Sequence, residues 1–233
     1  MGKYLKEFKT NAEYEAYING EPFLPNVSII SDTAHFTPNG IHSNGHAYVD
    51  LGLPSGTLWA TCNVGTSLPE GYGDRYKWGE IQLRHPTIGE TIFYLQSSGG
   101  TMFKYNTGDT LERLELIDDA AHYRMGGGWH IPTREQVEEL KGVTLQEWTQ
   151  VNGISGMLFI SQENGNTIFF PATGYGNNQE VGTRGYYWTS SVVTTDARRR
   201  YAWSFRISNL DANLNSNANR NAAYYIRGVL SAS

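Results

Sequence analysis

From position 209 to position 221 every odd-numbered residue is an amide or its acid: Asn209, Asp211, Asn213, Asn215, Asn217, Asn219 and Asn221. Leu210, Ala212, Leu214, Ser216, Ala218 and Arg220 fill the even positions. Successive side chains of an extended chain point to opposite sides, so a period of two predicts two surfaces, one of short amides and one small and partly apolar. A buried polar group left unpaired costs ~1–3 kcal/mol. Burying the whole row would therefore cancel the ~5–15 kcal/mol that holds a typical domain together. The amide side is expected to face water or a ligand. The row is longer than the usual strand of about five or six residues, so part of it is expected to be loop.

Elsewhere the pattern predicts short elements. Residues 6–17 carry apolar side chains at helical spacing (Phe8, Tyr14, Tyr17), and residues 27–30 read as a strand. Asn39-Gly40 and Asn44-Gly45 are turn dipeptides. A division is placed there, with residues 1–42 as an N-terminal adaptor and 43–233 as the ligand-binding domain. Residues 58–64 read as a strand and 68–105 as a long irregular stretch. Residues 111–125 can form a helix ended by Gly126, Gly127 and Gly128. Thr133, with Gln136 three residues on, is a capping box behind Pro132, opening a second helix that ends near Gly142. Residues 157–160 and 167–170 flank Asn164-Gly165 as a hairpin, and 185–191, 201–207 and 224–229 read as further strands. Two short helices among small antiparallel sheets and long irregular loops predict an α+β class.

Composition narrows the partners. The chain has 233 residues, 18% charged and 39% hydrophobic, enough for a sizeable core. Its net charge of −5 argues against nucleic acid or an anionic membrane surface as partner. No stretch approaches the ~18 apolar residues of a membrane span. The charged start, MGKYLKEFKT, has no apolar core of a signal peptide, which tips the expected setting towards a virion. Tyrosine, at 15 residues, is abundant, and it offers contact area at low entropic cost.

Catalytic chemistry finds little apparatus. The single cysteine, Cys62, lies in an apolar run and reads as core. His42 and His46 have the interval of a helical metal pair, but Asn44-Gly45 between them favours a turn, and His35, His85, His122 and His130 are scattered. The glycine triplet lacks the Lys and Ser/Thr of a phosphate loop. Asp118, Asp119, Glu112 and Glu115 read as a solvated helix side. Trp59, Trp129, Trp188 and Trp203 read as core. No catalytic residue, metal or cofactor is expected.

The runs AYVDLGLPSGTLWATCNVG, GGGWHIPTREQVEEL, IFFPATGYG, GYYWTSS and RNAAYYIRGV occur in that order. Together, over about residues 45–230, they resemble the Fibrobacter succinogenes major paralogous domain. That resemblance implies a C-type lectin fold of the branch related to formylglycine-generating enzymes. The enzyme branch works with a cysteine pair, which this chain lacks. The sugar-binding triplet Glu-Pro-Asn, the Trp-Asn-Asp motif and the disulfides of calcium-dependent lectins are missing too. Residues 224–227 read YYIR where related variable proteins resemble GFSVR. Variable proteins of diversity-generating retroelements carry mutable positions in this C-terminal segment, and Asn codons are their usual target. The resemblance thus implies a non-enzymatic receptor-binding protein of a phage tail, or a secreted or surface adhesin of Bacteroidetes. Its expected contact residues are Val193, Thr195, Arg198, Arg199, Arg200, Tyr201, the seven amide-row positions and Tyr224. The expected partner is a cell-surface protein or glycan receptor, with a homo-oligomer compatible. The alternative is a structural module of a tail or pilus with no ligand of its own.

Overall fold

The computed structural model describes residues 39–81, 102–176 and 178–231. The helix expected at 6–17, the strand at 27–30, His35, His85 and most of the adaptor lie outside the described residues. Twelve strands are present among the described residues: β1 (Gly40–Ile41), β2 (Ala47–Asp50), β3 (Leu58–Asn63), β4 (Tyr76–Lys77), β5 (Thr144–Val151), β6 (Ile154–Ser161), β7 (Thr167–Pro171), β8 (Arg184–Val192), β9 (Tyr201–Ser208), β10 (Ala212–Asn219), β11 (Ala223–Tyr224) and β12 (Arg227–Leu230). Among the same residues two α-helices, α1 (Ala120–Met125) and α2 (Arg134–Val143), accompany one 3-10 turn at Leu116–Asp118. The strands form sheets ordered β1-β2-β3-β12, β10-β9-β8, β11-β4 and β5-β6-β7, with every strand pair antiparallel.

The expected α+β class, a C-type lectin fold, is therefore corrected: the described residues are mostly β, 42% strand against 11% helix, with only two α-helices among them. The reasons are local. Residues 111–125 do not make one helix, because Glu112 and Leu114 exchange backbone hydrogen bonds with Val192 and Ser190 of β8. That pairing uses up the groups a first helical turn would need. Only α1 remains, with the Asp119 carboxylate accepting from the amide of His122 at its start and Gly126 at φ +70° closing it. In the opposite direction, Thr144–Val151 contributes a strand that the pattern did not announce. It forms a hairpin with β6 across Asn152-Gly153, both at positive φ (48° and 80°). A two-residue Asn-Gly turn in that conformation matches the twist of the strands it joins.

Helix α2 begins as the sequence reads. The Thr133 hydroxyl accepts from the Gln136 amide at 3.2 Å, and the Gln136 side chain accepts from the Thr133 amide at 2.8 Å. The buried Val137 and Leu140 place the helix on one side of the β8–β9–β10 sheet, against Tyr187, Phe205, Ile207 and Ala212. A second core lies on the other side, built on Trp78, Tyr105, Trp129 and Trp188 with Ala202 and Ala218. The sheet is a partition between two cores, and the side a residue of β10 faces decides what it can touch. β1 falls inside the expected adaptor yet pairs with β2 of the expected binding domain.

Candidate functional site

The register across β8, β9 and β10 sorts the expected contact residues. Tyr186 lies opposite Arg206, which lies opposite Asn213; Trp188 lies opposite Ser204, which lies opposite Asn215. Directly opposed residues share a face. Asn213 and Asn215 therefore stand on the side of Tyr186 and Trp188, although on the edge strand β10 Asn213 stays within reach of Lys141 of α2. A bulge between Asn215 and Ala218 then shifts the pairing, so that Ala218 opposes Ala202 and Asn219 opposes Tyr201. An added residue in one strand reverses the alternation beyond it. The two buried alanines of the row confirm the reversal: Ala212 packs into the α2 core and Ala218 into the opposite one. The expectation of one continuous amide surface is corrected. The row is turned outward, with Asn209, Asn213, Asn217, Asn219 and Asn221 exposed, but Asn219 belongs to the other side of the sheet.

Several of these side chains also serve their own chain. The Asn215 amide oxygen accepts from the backbone amide of Asn217, and that of Asn219 accepts from Asn221, each at 2.9 Å. Asn213 donates to the Asp211 carboxylate at 2.6 Å and accepts from Lys141 of α2 at 3.4 Å. Asp211 closes the β9–β10 turn, accepting from the Ser208 hydroxyl at 2.7 Å and pairing with Arg206 at 3.2 Å. The Ser208 hydrogen bond, followed by the Arg206 charge, holds its carboxyl below the usual carboxylate range despite partial desolvation. Leu210 at the turn is 87% exposed, where strict alternation expected a sheltered position.

The loop between β8 and β9 divides in the same way. Thr195 and Arg198 are exposed and free to meet a partner. Val193, just past the end of β8, is buried and donates its amide to the Tyr201 carbonyl, so its side chain belongs to the framework and its place in the expected contact set is corrected. Arg199 is only 8% exposed, at φ +48°, and donates to the Leu111 carbonyl at 2.9 Å. Its own carbonyl accepts from Arg220 at 3.1 Å. Those two contacts make Arg199 a brace between elements, and its place in the expected contact set is corrected. Arg200 is half-buried, paired with Asp196 at 3.3 Å and lying 5.2 Å over the ring of Tyr201.

Tyr224 is brought to the Asn213 side by β11. Its ring packs on Trp188 with centroids 4.5 Å apart and on Tyr186 at 5.3 Å, and Tyr186 meets Tyr175 at 5.1 Å. Sequence reasoning passed over Tyr175, Glu180 and Arg184, whose positions in a Gly-rich loop carry no periodic signal. Glu180 accepts from the Tyr186 hydroxyl and from Arg184, each at 2.5 Å. Burial first, then the Glu180 hydrogen bond, pushes the Tyr186 phenol up to about 12. Burial likewise raises Tyr224, helped by Tyr175 and the Glu180 charge. Both phenols are neutral donors at physiological pH. On the same face the Ser204 hydroxyl and the Arg206 Nε are buried without a hydrogen-bond partner among the described residues.

Trp59, Trp129 and Trp188 are fully enclosed, whereas Trp203 is half-buried beneath the Arg134 guanidinium at 4.3 Å. A cleft of 690 Å³ is lined by residues including His46, Thr61, Cys62, Thr66, Tyr123 and Arg124, none of them from β8, β9 or β10. Among the described residues no group of three or more His, Cys, Asp or Glu is placed to hold a metal ion. No helix among them is long and apolar enough to cross a membrane. Comparison with family models, with curated proteins and with solved structures found no match to this chain.

Proposed function

We propose that this chain is a non-enzymatic receptor-binding protein that meets its ligand at the Tyr186–Arg206–Asn213 end of the β8–β9–β10 sheet, on the side opposite α2 and beyond the part covered by the Trp188 core. The observation that carries the reading is the meeting of Asn213, Asn215, Arg206 and the Tyr186–Tyr224 stack on one face of a sheet backed by packed core. Short amides supply adaptable hydrogen bonds, while tyrosines supply rigid contact area. The resemblance to the Fibrobacter succinogenes major paralogous domain supports a phage tail or bacterial surface setting, with Asn codons of the β10 segment as targets of a diversity-generating retroelement. Under this reading Asn213 and Asn215 are tolerant of replacement. Changing both to Ala is expected to leave the melting temperature within about 3 °C, as surface changes usually do. Binding to intact Bacteroidales cells should fall at least tenfold. A folded double variant that binds as the parent does would refute this placement.

A second reading, a structural module of a tail or pilus with no ligand of its own, is favoured by another role for the same amides. They cap their own backbone and, with the bulge, blunt the edge strand β10 against unwanted pairing, a role that needs no ligand. That reading expects a stable oligomer by light scattering and no ligand on glycan or protein arrays.

A further inference from the structure

We infer that the ligand taken on this face is an uncharged glycan, seated across the sheet from the Tyr175–Tyr224 rings to Asn213; this rests on the receptor-binding reading above. Four observations select the class. First, Tyr175 and Tyr224 are half-buried, and their rings pack against the almost fully buried Tyr186. The centroids are 5.1 and 5.3 Å apart, which leaves no slot between rings for an inserted cation; Tyr224 lies on Tyr186 at 32° and makes a platform, while Tyr175 meets Tyr186 edge-on at 70° and walls it. Aromatic planes of this kind suit a partner with an apolar face. Second, the acid at the platform is already neutralised. Glu180 is held by Arg184 and by the Tyr186 hydroxyl, so it offers no free charge to a cationic ligand.

Third, the polar groups beyond the platform are neutral or compensated, apart from the Lys141 ammonium, which is spent on the Asn213 amide oxygen at 3.4 Å. Asn213 and Asn215 are amides, and Arg206 is paired with Asp211. An anionic ligand would have to compete with Asp211 for that guanidinium. Amides both donate and accept, as hydroxyl groups do. Fourth, the amides are reachable: Asn213 is exposed and Asn215 half-buried on the edge strand β10, one strand beyond Arg206 and Ser204. From β8 to β10 is two strand spacings, about 10 Å. That span suits a short oligosaccharide, with one ring stacked on tyrosine and the next among the amides. A protein receptor would use the same platform without needing vicinal hydroxyls.

The test uses the full chain, intact Bacteroidales cells, and an array of mannan, β-1,4-glucan and β-1,4-galactan oligomers, all of which carry vicinal diols. Cells are offered untreated, after mild periodate oxidation of vicinal diols, and after protease treatment. Periodate should reduce binding at least tenfold and protease should not. Tyr224→Ala and Tyr175→Ala should each weaken cell and array binding at least tenfold, while Tyr224→Phe, which keeps the ring, should bind within about twofold of the parent. Should Tyr224→Ala fail to fold, Tyr175→Ala in its surface loop carries the same prediction. Binding that survives periodate and is lost on protease treatment would overturn the glycan assignment while leaving receptor binding intact. Binding to neither cells nor array would overturn both.

Discussion

Asp211 shows how one side chain can hold a surface in shape without touching a ligand. Its carboxylate accepts from Ser208 and Asn213 and pairs with Arg206, fixing the turn from which β10 departs. Because its folded-state pKa lies below the unfolded value, the charged form is the one favoured by folding. The resulting stability is fully present above the ordinary carboxylate value of 3.8 and is lost as pH falls through the lower folded value. Urea titrations at neutral pH and at successively lower pH should therefore show a steeper acid loss for the parent than for Asp211→Asn. Equal slopes would mean that the pairing is absent in solution. Arg199 teaches the complementary lesson. Three consecutive arginines look alike in sequence, yet one is exposed, one buried and one half-buried, because the backbone turns at Arg199 into the left-handed region.

Among the elements, α2 and β10 mark two degrees of legibility. The start of α2 is written in four consecutive residues, Thr133 to Gln136, and the reciprocal hydrogen bonds form as that spacing requires. Removing the Thr133 hydroxyl leaves the Gln136 amide unsatisfied, so Thr133→Ala should cost about 1 kcal/mol in chemical denaturation, with Thr133→Ser close to neutral. β10 was read as extended from its period of two, and Ala212–Asn219 is extended. The bulge was not legible, because its cause lies in the partner strand. Ala202 is the small residue whose place in the Trp188 core draws Ala218 to the same side. Alternation within a strand says that neighbours face apart; it does not say where pairing slips. The platform was half visible for a similar reason. Tyr224 flanks the amide row in sequence, whereas Tyr175 and Tyr186 reach it only because β11 lays Tyr224 over β8.

The assembly of the sheets depends on a residue that polarity alone would send to the surface. Arg227 of β12 is 1% exposed and donates to Asn63 at 2.8 Å, to the carbonyls of Ala60 and Thr61 at 3.1 and 2.7 Å, and to Phe169 of β7 at 2.9 Å. It thereby ties the β1-β2-β3-β12 sheet to the β5-β6-β7 sheet, with its guanidinium 4.7 Å over the Phe170 ring. Replacement by Met fills similar volume but strands several buried acceptors at ~1–3 kcal/mol each. Arg227→Met is accordingly expected to lose at least about 3 kcal/mol in urea unfolding, and Arg227→Lys to recover only part of it, since an ammonium cannot reproduce the planar fork. A loss under 1 kcal/mol, within the range of ordinary surface changes, would show that the sheets hold together without this link.

Periodicity, caps and turn dipeptides are properties of neighbouring residues, and they were readable along the chain: the cap of α2, the glycine stop after α1, the turn between β6 and β7, and the outward lean of the amides. Registers, bulges and the side on which a residue lands depend on segments far apart in the chain. Those distant partners turned residues 112–114 from helix to strand pairing, sank Arg199 and Arg227 into the interior, and divided the amide row between two faces. Local signals set which conformations each segment can adopt; the competition for backbone partners and core volume between segments chose among them.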